Sequence, residues 1–329
     1  MNIAYFDLHK NTIHEDYSIK PKRYGGAATF ARYAKQLLNN NGHSFKIFAL
    51  EESFSSYIEE DIANKYVLKA EQINAINLFY PIKDILWDID LSELDIIMFH
   101  HDFFSLNTEG LKAKKIYWPL VDQSTCHPNN DLMLLYSKNL ACYYDPNKTK
   151  VNFFKIGVNV PKEFIPTNKD DLIFQCTQHS DSFNSIEVAK KRKEINYKAV
   201  FAGPIFDNYN LLDYIDNINT FYIGQISEEE KIEYMKKAKF STFLHKHQTP
   251  FNLSIIESMA YGVVPICSSN RFFKSIINDN VNGFLYKDTF VDIINKYNLT
   301  MQEKAYETAR IFSKENMISS FLEAIKVLK

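Results

Sequence analysis

Short apolar runs alternate with segments of helical periodicity along the whole chain, and this alternation limits the fold more than any other feature of the sequence. Strands that read as continuous apolar runs are buried on both faces, and a helical segment between successive strands makes them parallel. The class is therefore α/β. In the first half the runs are residues 3–7, 45–50, 95–100, 115–121 and 140–144, with a helix from about Ala28 to Leu38. In the second half they are 172–177, 198–202, 220–223, 240–245 and 263–267. At 329 residues the chain exceeds what one core supports, so two doubly wound domains facing a cleft are expected. The change from apolar Phe153-Phe154-Lys155-Ile156 to the turn-rich stretch Thr167 to Asp171 puts a linker at about 158–170.

Composition narrows the class of partner. With 46% hydrophobic and 24% charged residues the chain has ample core material for a soluble globular protein, and a net charge of -2 gives no reason to expect nucleic acid. Two basic runs, Lys20-Pro21-Lys22-Arg23 and Lys190-Lys191-Arg192-Lys193, are either solvated faces or contacts to a membrane surface or polyanion. The second falls on a helical segment whose polar face is expected to meet water. Cys126, Cys142, Cys176 and Cys267 are far apart and lack C-x-x-C spacing, which fits a reducing compartment and no zinc knot. The N-terminus turns acidic after a few apolar residues and reads as a first strand, not a signal, and no apolar run approaches the length of a membrane span. A cytoplasmic protein is expected, with peripheral membrane contact left open.

In open parallel sheets ligands bind beyond the carboxyl ends of the strands, so the chemistry belongs in the loops there. Tyr24-Gly25-Gly26-Ala27 leads into the first helix and allows close backbone approach to a ligand; it is neither G-x-G-x-x-G nor a P-loop. His100-His101-Asp102 ends a strand and can orient a sugar hydroxyl or bind a metal, although adjacent strand residues point to opposite sides, which disfavours the metal. Gln178-His179-Ser180-Asp181-Ser182-Phe183-Asn184 follows the first strand of the second half, and Gly203 follows the second. His245 and His247 read as loop side chains rather than metal ligands, and Lys246 as a phosphate partner.

The most informative loop is the one from Thr249 to Gly262. Ser254 and Glu257 have the S-x-x-E spacing of a capping box, so a short helix is expected to start near Ser254, and Gly262 fits its left-handed stop. The first amides, on Leu253 to Ile256, then form an anion site at the positive end of the helix dipole, suited to a diphosphate. Glu257 either caps its own helix or accepts two hydrogen bonds from a ribose diol.

Along most of its length the chain resembles the retaining glycosyltransferases of the GT-B fold, those of glycosyltransferase family 4. The resemblance rests on the Gly25-Gly26 turn, on Asp95 to Asp102, on Phe153 to Asn159 and on the glycine turn from Phe221 to Glu230 before an acidic helix. Most specific is Pro250 to Pro265, followed by Asn282-Gly283-Phe284-Leu285. It implies two Rossmann-like domains: residues 1–158 for the acceptor, 159–310 for the nucleotide-sugar, and 311–329 as a closing helix returning to the first domain. By the same resemblance the amides of Leu253 and Ser254 hold phosphate and Glu257 the ribose. Thr249 and Asn252 meet the sugar hydroxyls, His100 or His101 orients the sugar, and Gly26 approaches the reacting end.

Three departures stand against this pattern. The family's two glutamates are seven residues apart, and here the earlier position is Thr249; the glycine after Pro-Phe is Asn252; and the two cations that neutralise the donor diphosphate fall at Gln178 and near Phe183. Lys246 or Arg271 can replace those cations. The reading that results is a glycosyltransferase moving a sugar from a UDP-sugar or GDP-sugar to a glycan, lipid-linked or protein acceptor, with retention inherited from the resemblance and no cofactor or metal. The alternative is a nucleotide-sugar-binding subunit with weak or no catalysis. A nicotinamide-dependent oxidoreductase shares the architecture but lacks the glycine fingerprint.

Overall fold

The structure, a computed structural model, describes residues 1–7, 26–50, 67–68, 91–100, 110–118, 131–135, 150–206, 209–246, 252–287 and 289–328. Two compact units divide the chain: Met1–Ile156 with Glu315–Lys329, and Gly157–Lys314.

In the first unit β1 (Asn2–Asp7), α1 (Gly26–Asn40), β2 (Ser44–Leu50), β3 (Val67–Leu68), β4 (Ile96–His100), β5 (Lys114–Trp118), β6 (Leu132–Leu135) and β7 (Val151–Phe153) follow in order. The seven strands form one sheet in the order β3-β2-β1-β4-β5-β6-β7, all parallel. Ile3 lies in register with Phe45 on one side and Ile96 on the other, so the first strand is central and its Ile3 to Phe6 are fully buried. β3, β6 and β7 are not among the runs expected from the sequence. Each is too short for a period to declare itself, and Leu132-Met133-Leu134-Leu135 reads equally as a turn of buried helix. The expected strand at 140–144 and the end of that at 115–121 lie outside the described residues.

The second unit contains β8 (Asp170–Cys176), α2 (Ser185–Lys191), β9 (Lys198–Ala202), β10 (Thr220–Tyr222), α3 (Glu228–Lys237), β11 (Ala238–Phe243), α4 (Leu253–Ala260), β12 (Val264–Ser268), α5 (Phe273–Ile276), β13 (Phe284–Tyr286), α6 (Phe290–Lys296) and α7 (Thr300–Ile311). Its sheet is also parallel, in the order β10-β9-β8-β11-β12-β13. Alternate residues serve two cores: Ile173, Ala199, Phe201 and Phe240 pack on one face, and Leu172, Phe174, Val200 and Ala202 on the other. Both faces being apolar is why these strands read as unbroken runs. Growth of the sheet reverses between β8 and β11, and in such sheets the crevice for a ligand opens at that reversal.

Residues 158–170, read as a linker, are fastened to the second unit. Val158 exchanges hydrogen bonds of 2.9 Å with Phe312 and Lys314, and the Tyr306 hydroxyl donates to the Pro161 carbonyl at 2.7 Å. Buried Lys169 donates to the carbonyls of Met235 and Lys236 at 2.8 and 2.9 Å, closing the end of α3, and burial lowers its pKa to about 8. α8 (Lys314–Ala324), followed by a 3-10 turn over Ile325–Leu328, returns to the first unit: Phe321 lies 5.9 Å from Phe30 and 6.0 Å from Phe154, and the Lys155 amide donates to Ser320 Oγ at 2.9 Å. Among the described residues no helix is long and apolar enough to cross a membrane.

Arg192 departs from expectation. The basic run does not lie wholly on a solvated face: Arg192 is buried and donates to Asp216 Oδ2 at 3.2 Å, while Asp216 Oδ1 accepts the amides of Ile218, Asn219 and Thr220. Those amides, with Arg192 as a lesser influence, hold the Asp216 carboxyl down at about 2.

Candidate functional site

The loops after β8 and β11 are tied together at the reversal of the sheet: the Lys246 amide donates to the Ser182 carbonyl at 3.0 Å, and the Phe183 ring meets His245 edge-on at 4.8 Å. His179 is fully buried within the first loop, its Nδ1 2.8 Å from Ser185 Oγ and its Nε2 3.1 Å from the Ala202 carbonyl. It therefore shapes the loop, while Gln178 beside it is exposed.

The helix α4 starts earlier than the S-x-x-E spacing suggests. Its N-cap is Asn252, in extended conformation, whose Oδ1 accepts the Ser254 amide at 3.0 Å; Ser254 and Glu257 form no capping box. Asn is as good a cap as Ser, and with the start shifted by two residues Ser254 lies inside the first turn, where its carbonyl accepts the Ser258 hydroxyl at 2.8 Å. The Ser254 amide, expected among the open donors, is thus occupied. Gly262 does end the helix, with φ 66° and its amide on the Met259 carbonyl at 2.9 Å. The inward face of α4, Ile255, Ile256, Met259 and Ala260, packs with Phe243, Phe273, Ala305 and Ala309, while Glu257 stays partly exposed.

His245 is buried, not a loop side chain in solvent. Its Nε2 is 3.2 Å from Asn252 Nδ2, and its ring is enclosed by Phe183, Phe243 and Phe273. With Asn252 Oδ1 committed to Ser254, the amide nitrogen donates and His245 Nε2 accepts, which requires the neutral imidazole. Burial agrees with that, pushing its pKa down to about 4. Removing the cap side chain in Asn252→Ala is expected to lower the stability of the second unit by about 1 kcal/mol, measured by denaturant unfolding; no change would show that the cap is dispensable.

Glu257 has a partner the sequence did not announce. Lys231, in the first turn of α3, places Nζ 3.2 Å from Glu257 Oε2 and 2.8 Å from Glu228 Oε2, with its side chain only 14% exposed. Burial works against its charge, but Glu257 and Glu228 outweigh burial and hold the ammonium above its ordinary range. Lys231 is placed there by the box that starts α3, in which Ser227 Oγ accepts the Glu230 amide at 3.1 Å and Glu230 Oε2 the Ser227 amide at 2.7 Å. The readable signal was that box, with Glu228 and Lys231 three apart on a helix.

The remaining expected residues are dispersed. Lys246 Nζ faces Asp181 at 3.7 Å with both side chains exposed. Gly203, at φ 125°, donates to the Gly224 carbonyl at 2.7 Å and accepts the Tyr222 hydroxyl at 2.8 Å. His100 closes β4 and Gly26 opens α1, both in the first unit. Gly25, His101 and Thr249 lie outside the described residues.

Residues 175–316 match the family model of the glycosyl transferases group 1, a stretch that begins in β8 and holds the reversal, α4 and the Glu257–Lys231 pair. This stretch is a glycosyl transferases group 1 domain. No curated protein matches the chain in sequence. Among solved structures the chain is similar to HepE of Anabaena in complex with UDP, at 13% identity and TM-score 0.75 over 99% of this chain and 100% of that one. It is also similar to a glycosyltransferase from Rickettsia africae, at 16% and 0.73 over 100% and 98%, and to sucrose-phosphate synthase from Thermosynechococcus elongatus, at 12% and 0.73 over 99% and 98%. At these identities the likeness establishes the fold, GT-B, with two Rossmann-like units. Asn252, Leu253, Ser254 and Glu257 all fall within the glycosyl transferase domain, on the first two turns of one helix.

Proposed function

We propose that the chain transfers a sugar from a nucleotide-sugar, a UDP-sugar or GDP-sugar, to a glycan, lipid-linked or protein acceptor, with retention of anomeric configuration. The observation that carries this is the placement of the α4 N-terminus and Glu257 at the reversal of the second sheet, inside a glycosyl transferases group 1 domain. The similar structure HepE is in complex with UDP in one case and UDP-glucose in another, which supports a donor of that class.

Diphosphate is assigned to the amides of Leu253 and Ser254. On the second of these it replaces Asn252 Oδ1, and Asn252, so released, and Thr249 are assigned to the sugar hydroxyls. Glu257 accepts the ribose hydroxyls. The helix amides oppose the charge that builds on the leaving phosphate, which is where a retaining transfer without a protein nucleophile needs it. Lys246 adds to this once it leaves Asp181. The first unit, with Gly25, Gly26, His100 and His101, takes the acceptor and orients the sugar. The chain works in the cytoplasm, at a membrane face when the acceptor is lipid-linked.

A second reading, a nucleotide-sugar-binding subunit with little turnover, is favoured by the cations: Gln178 is neutral, Lys246 faces Asp181 and Lys231 lies between two carboxylates. A thermal-shift screen with UDP, GDP, ADP and CMP and their sugar conjugates tests both readings. A selective rise in melting temperature, followed by product from that donor, supports the transferase; a rise without product supports the binder, and no rise with any nucleotide sinks both.

A further inference from the structure

Lys231 sits on the inward face of α3, one helical turn before the buried Met235. An apolar residue there would pack as well and avoid removing an ammonium from water, so a cation at this position is weak evidence of a stability role. Its charge is matched twice, by Glu228 at 2.8 Å and by Glu257 at 3.2 Å, so the three groups together carry a net charge of about -1 and Lys231 is no spare cation for a diphosphate. The arrangement does fix one thing, the direction of Glu257. A glutamate has three rotatable bonds, and on the outer edge of α4 it would otherwise sample several rotamers. Anchoring Oε2 from a helix that is itself boxed at its start leaves Oε1 to face a ligand in one orientation.

We propose that Lys231 is a positioning residue that holds the Glu257 carboxylate for a ribose diol, and thereby sets how strongly the site prefers ribonucleotides to 2′-deoxyribonucleotides. This rests on the donor reading above. Glu228 is the outer anchor that holds the Lys231 ammonium in place.

The test titrates the full chain with UDP, GDP, ADP and CMP and with the matching 2′-deoxynucleotides, and takes the ratio of the two dissociation constants within each protein. Because the ratio is internal, a partly unfolded variant does not distort it. Wild type is expected to prefer the ribonucleotide by about tenfold or more, Lys231→Met by less than about twofold, and Lys231→Arg to restore most of the preference. A Lys231→Met protein that keeps the wild-type ratio overturns the proposal, as does a wild type that binds nucleotides but shows no preference. A wild type that binds none of the eight compounds overturns the donor reading itself, a different result from either.

Discussion

Gly262→Ala is expected to destabilise the second unit by about 3 kcal/mol, from two sources that act at once. At φ 66° an alanine is held in the left-handed region, which costs about 1 kcal/mol. A Cβ built there would stand 2.0 Å from Phe164 Cζ and 2.5 Å from its Cε2, too close for any small adjustment. The Phe164 ring cannot simply withdraw, because it stacks on Tyr306 at 5.1 Å and Tyr306 is held by the Pro161 carbonyl. Denaturant unfolding of Gly262→Ala measures the loss. Combining it with Phe164→Ala, which opens the space, should recover the steric part and leave about 1 kcal/mol between the double variant and Phe164→Ala alone. A single variant within about 0.5 kcal/mol of wild type would mean that the helix stop relaxes freely and is no fixed support for the site.

Acid should weaken the same region through His245. Its pKa is about 4 in the folded chain against an ordinary 6.5, so between those values the unfolded state binds a proton that the folded state refuses. Stability from this group is complete above pH 6.5, falls as pH drops toward 4, and loses nothing further below that. The whole window is worth about 3 kcal/mol. Asp216, held at about 2 by backbone amides, acts only below this range. The structural consequence concerns Asn252: a protonated imidazole has no lone pair to accept Nδ2, so the cap of α4 is disturbed as His245 charges. Proton NMR of the imidazole should show a titration near pH 4, and His245→Gln should flatten the stability profile between pH 6.5 and 4. An imidazole titrating near 6.5 would contradict the buried, neutral acceptor.

The second sheet was largely legible in the sequence because its strands are apolar on both faces, and unbroken runs such as those at Ile173, Val200 and Ile266 leave only the exact ends uncertain. The short edge strand at 284–286 was not legible, since three residues carry no period. At the site, Gly262 announced itself through a backbone requirement, whereas the start of α4 was misplaced because Ser254 and Glu257 imitate a capping box that Asn252 supplies instead. The start of α3 and the Glu228–Lys231 spacing were readable, but the pairing of Lys231 with Glu257 was not. Lys231 lies 26 residues from Glu257, and only the parallel crossover through β11 brings the two helices together. The same holds for His245 and Asn252, whose contact across seven positions follows from no motif.

The central claim is that α4 seats a nucleotide through Glu257, and the most direct measurement is a calorimetric titration of wild type and Glu257→Ala with the nucleoside diphosphate that gives the largest thermal shift. The account predicts that the variant stays folded, with a lower melting temperature because Lys231 loses one of its two carboxylates, and binds about 10- to 100-fold more weakly, the loss expected when hydrogen bonds to a carboxylate disappear. Equal affinity in a folded Glu257→Ala protein would contradict it.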